Sequence, residues 1–291
     1  MNEIEQTLLE KANILVEALP YIRKFYGKTF VIKYGGAAQK DPFLKDAFAQ
    51  DIVLLNFIGI KPIVVHGGGP KITEFMKKLD KEPQFIHGHR VTDKETMEIV
   101  EMVLGGVINK EIVQLINSHG GKAVGLTGKD GNLLKTKKKY LKINNEETDI
   151  GFVGEIEEVC VDVLESLQDK GFIPVVAPIG FDKKGQSYNI NADTVASAIA
   201  VAVKAEKLIL LTDVKGITDE NNNHIPTLKN EEALKLIEQQ IISGGMIPKV
   251  YACLNALKGE VRKTHIIDGR IPHSLLLEIF TQKGIGTELI F

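Results

Sequence analysis

The chain has 291 residues and sets 36 lysines and arginines against 38 acidic residues, a net charge of −2. Such a balance carries no electrostatic footprint for a nucleic acid, and the length suits one large α/β domain or two lobes with a sizeable core. Two cysteines, Cys160 and Cys253, lack metal-ligand spacing and read as buried free thiols. The acidic N-terminus has no signal-peptide pattern, and the longest apolar run, 194–203, is about half a membrane span, so the sequence reads as soluble and cytoplasmic.

Apolar residues at Ile4, Leu8, Leu9, Ala12, Leu15, Val16 and Leu19 predict an amphipathic helix over 3–19, ending near Pro20. It could pack on its own domain or join a neighbouring subunit. Strand 28–33 then runs into Lys33 and the pair Gly35-Gly36, and a helix follows over 43–58. The unbroken apolar strand 62–66 is of the kind buried in a parallel sheet. It meets Gly67-Gly68-Gly69-Pro70, with Pro70 suited to a helical first turn.

Residues 84–92 lack helical period and read as an irregular hairpin or loop, with Arg90 a candidate carboxylate clamp or a plain surface arginine. His66, His87 and His89 have no carboxylate or cysteine spaced to complete a metal site. Asp93 or Thr92 caps a helix to about Gly105, and a second helix covers 107–118. Strand 122–126 precedes a basic run, 135–149, that reads as a solvated hairpin. Helix 161–170 and strand 172–177 lead to a turn-rich break, 180–185, between two halves. The second half has helix 194–203 opened by Asn191 and Asp193, then strand 207–211 ending in Thr212-Asp213. A polar loop-like stretch covers 219–230 and a helix 231–242. Gly244-Gly245 opens a helix carrying Lys249, and strands near 264–267 and 287–290 flank the segment 274–280. Alternating strands and helices imply a largely parallel sheet covered on both faces.

Three glycine clusters, two carrying a lysine, fit a phosphoryl-transfer site. Glycines let backbone N–H groups approach an anion, and lysines cancel charge on the moving group. Lys33 and Lys249, from opposite halves, could both serve, and Asp193 could hold the two ammonium groups in place or act only as a cap. Neither G-x-x-x-x-G-K-[ST] nor G-x-G-x-x-G occurs, which argues against P-loop NTPases and ordinary dinucleotide dehydrogenases.

Residues 31–38 (VIKYGGAA), 64–70 (VHGGGP preceded by Val64), 89–92 (HRVT), 125–131 (GLTGKDG), 188–193 (YNINAD), 211–216 (LTDVKG) and 244–249 (GGMIPK) resemble the amino acid kinase family, specifically its members that phosphorylate N-acetyl-L-glutamate in arginine synthesis. The resemblance spans about 28–290. Gln39 departs from it where methionine is frequent, and Thr127 where serine is common. It implies a three-layer αβα sandwich in two lobes. An extension over 1–27 would precede a lobe at 28–180 for the amino-acid substrate and dimerisation, and a lobe at 181–291 for ATP.

The resemblance further implies transfer of the ATP γ-phosphoryl to the substrate's side-chain carboxylate. Lys33 and Lys249 would stabilise the transition state, and Asp193 would orient them. Gly35, Gly36, Gly68 and Gly69 would donate N–H groups, and Arg90 and Asn189 would hold the acetylated amino acid. Thr212, Asp213, Gly216, Gly244 and Met246 would bind ATP, with Mg2+ held mainly by phosphate oxygens rather than by protein ligands. The N-terminal helix, His265–Arg270 and 278–287 resemble the arginine-inhibited, hexameric members, which implies arginine as an effector and a homo-oligomer, a dimer or a hexamer built as a trimer of dimers; the rival reading is a packing helix with no effector. Two rivals remain: a kinase of the same fold for N-acetyl-aminoadipate or a carrier-linked substrate, and a non-catalytic amino-acid sensor.

Overall fold

The computed structural model describes residues 3–143 and 146–291. Helix α1 (Glu3–Phe25) leads to strand β1 (Thr29–Tyr34) and a one-turn 3-10 helix, Gly36–Gln39. The first helix does not end near Pro20 but passes through it to Phe25. Pro20 is exposed, so water can solvate the carbonyl left without its N–H partner. Helix α2 (Pro42–Phe57) starts where the Asp41 carboxylate accepts from the Phe43 and Leu44 N–H groups. Strand β2 (Lys61–His66) and helix α3 (Gly69–Lys78) follow.

Residues 84–92 hold a minimal hairpin, β3 (Phe85–Ile86) with β4 (His89–Arg90). Asp93 caps α4 (Lys94–Glu101) by accepting from Thr96 N–H. The expected break near Gly105 is absent, because a π-helical turn, Met102–Ile108, joins α4 to α5 (Asn109–Ser118). After β5 (Ala123–Thr127), the basic run forms the hairpin β6 (Leu134–Ile143) and β7 (Glu146–Val159). Its lysines face acidic partners across the strands, Lys135 with Glu158 and Lys138 with Asp149. The hairpin tip at 144–145 lies outside the described residues.

Helix α6 (Asp162–Asp169) and β8 (Ile173–Ala177) precede β9 (Ile179–Phe181) and β10 (Ser187–Asn189). Residues 180–185, where the sequence reads as a turn-rich break, turn the β9–β10 hairpin, which closes with β6 and β7 into a small barrel. Next come α7 (Ala192–Ala202), β11 (Lys207–Thr212) and β12 (Thr227–Lys229), the last a short edge strand in a stretch that reads as loop from sequence. Helices α8 (Asn230–Glu238) and α9 (Met246–Lys258), strand β13 (Lys263–Asp268), helix α10 (Ser274–Ile279) and strand β14 (Thr287–Ile290) complete the chain.

Eight strands form one sheet in the order β12-β14-β13-β11-β1-β2-β8-β5, parallel except for β13 with β14. Side chains alternate across it. Phe30 and Ile32 of β1 join a core with α2, α4 and α5, while Val31 joins a second core with α7 and α9. These are the three layers of an αβα sandwich. Cys253 is buried, whereas Cys160 is only half-buried, and both are free thiols. Among the described residues, no helix is long and apolar enough to cross a membrane.

Candidate active site

The central strands β11, β1 and β2 lie side by side, with Lys33 paired to Leu210 and Val65, and Tyr34 paired to His66. Their loops therefore emerge together at the carboxyl edge of the sheet, where open α/β sheets bind ligands. A cleft of about 310 Å³ opens there, lined among others by Lys33, Gly35, Gly68, Arg90, Asn189 and Asp193.

Asp193 sits in the first turn of α7, where Asn191 caps the helix by accepting from the Asp193 and Thr194 N–H groups. Lys33 Nζ lies 3.2 Å from Asp193 Oδ1, and Lys249 Nζ, from the first turn of α9, donates to Oδ2 at 2.8 Å. The Lys33 contact is an ion pair without a well-aligned hydrogen bond, so Oδ1 is left without a directed donor. Side-chain exposures are 10% for Lys33, 6% for Asp193 and 16% for Lys249, so solvent screens the triad little. Burial pulls the Lys33 ammonium below the usual lysine range, helped by Lys249 and opposed by Asp193. Burial alone would push the Asp193 carboxyl up, but Lys33 and Lys249 together hold it below the usual carboxylate range. Two ammoniums on one carboxylate leave a net positive charge facing the glycine loops, a setting for an anion.

The glycines meet specific requirements. Gly36 takes φ +70, and a Cβ there would sit 3.8 Å from Asp213 N. A Cβ on Gly68 would collide with Ile108 and Leu104 of the π turn, which presses against the loop. Gly69 begins α3 with open space around it. Arg90 is buried: its guanidinium donates to Gly69 O at 3.0 Å and Thr73 Oγ1 at 2.7 Å, and lies 4.7 Å from the Phe85 ring centroid. Among the described residues no carboxylate pairs with it. Asn189 Nδ2 donates to Thr92 Oγ1 at 3.4 Å.

Of the residues read as binding phosphate or nucleotide, Gly35 and Gly36 line this cleft and the other five do not. Thr212 ends β11 and Asp213 follows it beside Gly36, Gly216 takes φ +137 against Thr287, Gly244 takes φ +54 with open space around it, and Met246 opens α9. Sequence reasoning gave no role to Gln39, read Thr92 only as an alternative helix cap, and weighed His66 only as a metal ligand, without its partner Asn109. A polar side chain ending the first glycine loop was the available signal for Gln39. The His66–Asn109 contact joins distant segments and left none.

The amino acid kinase family model matches residues 28–268. The acetylglutamate kinase of Syntrophus aciditrophicus (strain SB) is 57% identical over 100% of both chains, and that of Sulfurihydrogenibium sp. (strain YO3AOP1) is 56% identical over 98% and 99%. An N-acetylglutamate synthase from Neisseria gonorrhoeae, solved with coenzyme A and N-acetyl-glutamate, superposes with a TM-score of 0.86 at 28% identity over 96% of this chain. This chain spans only 63% of that synthase. The same synthase solved with coenzyme A and L-arginine superposes with a TM-score of 0.82 at 26% identity over 96% of this chain and 65% of that one. The chain belongs to the amino acid kinase family. It is a kinase, and its full length aligns with the acetylglutamate kinases.

Proposed function

We propose that the chain transfers the γ-phosphoryl of ATP to the side-chain carboxylate of N-acetyl-L-glutamate, giving an acyl phosphate and ADP in arginine synthesis. The observation that carries this reading is the meeting of Lys33 and Lys249 on Asp193 at the mouth of a glycine-lined cleft. The lysines would neutralise charge on the moving group and the leaving oxygen, while Gly35, Gly36, Gly68 and Gly69 supply N–H donors. Arg90 and Asn189, on the cleft wall, would hold the acetylated amino acid. Thr212, Asp213, Gly216, Gly244 and Met246 would hold ATP. Mg2+ would enter with the nucleotide on phosphate oxygens and neutralise its charge. The described residues offer no cluster of three or more His, Cys, Asp or Glu side chains to hold it instead. Residues 28–180 would form the amino-acid lobe and 181–291 the ATP lobe.

Arginine is proposed as a feedback inhibitor, acting beside α1. Under the end of that helix, Lys207 Nζ lies 2.7 Å from His265 Nε2, and His265 Nδ1 lies 2.6 Å from Glu278 Oε1. The Lys207 ammonium is 5.6 Å from the Phe25 ring centroid. On α1, Ile14, Leu15, Val16 and Leu19 are exposed, which suits helix exchange between dimers of a homohexamer. A coupled ADP-release assay with N-acetyl-L-glutamate and N-acetyl-aminoadipate tests the reaction. Faster turnover of the longer substrate would replace the substrate assignment, and no turnover of either would favour a sensor.

A further inference from the structure

Gly35 and Gly68 line the cleft, and neither N–H group has an acceptor among the described residues. Their peptide partners, the carbonyls of Tyr34 and Gly67, are in contrast each held by hydrogen bonds. Tyr34 O accepts from Gly67 N–H at 2.9 Å and from Gln39 Nε2 at 3.2 Å. Gly67 O accepts from the same Gln39 Nε2 at 3.3 Å and lies 3.0 Å from His66 Nδ1. Both atoms within reach of the Gln39 tip are carbonyl oxygens, so the amide must present its NH2 to them. His66 Nδ1 faces a carbonyl, so it carries the hydrogen. Nε2 is then free to accept from Asn109 Nδ2 at 3.2 Å, a group also donating to Val175 O at 2.9 Å. Burial holds the His66 ring neutral by lowering its pKa to about 4.

In a planar trans peptide the C=O and N–H point in opposite directions, and the chain has no cis bond. Fixing the two carbonyls therefore fixes the direction of the two N–H groups. We infer that Gln39 and His66 are positioning residues that aim the Gly35 and Gly68 N–H donors at the transferring phosphoryl group. Gln39 ties both glycine loops through one amide, and His66, braced by Asn109, holds the second. The inference rests on the phosphoryl-transfer reading given above. A donor misaimed by a rotated peptide acts in the transition state more than in substrate binding, so the effect belongs in kcat.

The test is steady-state kinetics with N-acetyl-L-glutamate and MgATP, alongside binding of MgADP with and without aluminium fluoride, for the wild type, Gln39→Met, His66→Asn and His66→Leu. Gln39→Met keeps the length of the side chain and removes both donors. The expected result is a fall in kcat of about 3–10-fold, both KM values within about twofold, an unchanged thermal midpoint, and aluminium fluoride complex affinity weakened in step with kcat. His66→Leu should lose about tenfold or more in kcat, and His66→Asn, whose amide nitrogen can stand where Nδ1 stood, should recover most of it. If His66→Leu fails to fold, the Gln39 series decides alone. Wild-type kcat and complex affinity retained in Gln39→Met would overturn the inference. A wild-type protein without turnover would instead remove the reaction on which it rests.

Discussion

Lys249 Nζ donates to Asp193 Oδ2 across 2.8 Å, joining the first turns of two helices, α7 and α9, that pack side by side behind the sheet. The pairing holds one ammonium at the cleft while Oδ1 faces the other, Lys33 at 3.2 Å. A single carboxylate thus sets the separation of two cations that would otherwise repel.

Replacing either cation tests its share of charge stabilisation. Lys33→Ala and Lys249→Ala are each expected to lower kcat by roughly two to three orders of magnitude, with smaller changes in the KM for ATP. Losses below about tenfold at both positions, read in the ADP-release assay, would contradict their roles.

Asp193→Asn keeps the shape and removes the counter-charge. Burial and Lys249 already lower the Lys33 pKa, and Asp193 is the largest influence raising it. Without that carboxylate Lys33 loses its proton at lower pH. The alkaline limb of the kcat profile should therefore move toward acid, together with a fall in kcat. An unmoved limb would show that Lys33 charge does not govern it.

Arg90 donates from Nη2 to both Gly69 O and Thr73 Oγ1 on the cleft wall, while Nη1 lies 3.1 Å from Met76 Sδ. Lysine, with one terminal nitrogen and no planar fork, cannot keep these contacts and offer a second nitrogen to a carboxylate. Arg90→Lys is expected to raise the KM for N-acetyl-L-glutamate by about tenfold or more, with the KM for ATP nearly unchanged. Equal effects on both substrates would place Arg90 outside the amino-acid site.

His66 predicts a pH dependence of stability. Its pKa falls from 6.5 to about 4 on burial, so between those values the unfolded chain binds the proton that the folded chain refuses. The stability contribution is complete above about pH 6.5 and is lost as pH falls through the window, reaching roughly 3 kcal/mol by about pH 4. Urea unfolding across this range should show a shallower acid loss in His66→Asn than in the wild type, and parallel curves would contradict the assignment.

Deleting residues 1–20 removes most of α1. Arginine inhibition of the wild type and its absence in the truncated chain would support an effector site beside Phe25, Lys207 and Glu278. Inhibition unchanged by the deletion, or never present, would end that proposal.

Much of the architecture is legible in the sequence because its central strands carry unbroken apolar runs and its helices carry local caps. Asp41, Asp93 and Asn191 each mark a helix start through bonds to residues two or three positions on. What escapes is tertiary. Pro20 reads as a stop because its cost is local, yet an exposed helix absorbs it. Gly105-Gly106 reads as a break, but a π turn carries the chain through because Leu104 and Ile108 pack on Gly68. The lysines and Asp193 are recognisable as candidates, whereas their convergence depends on strand order.

The most direct test is a crystal structure of the protein with MgADP, aluminium fluoride and N-acetyl-L-glutamate. Both lysine Nζ atoms are expected within hydrogen-bond distance, about 3 Å, of the fluoride ligands or the bridging oxygen, with Asp193 between them. A closed complex in which either side chain turns away from the mimic would contradict the account.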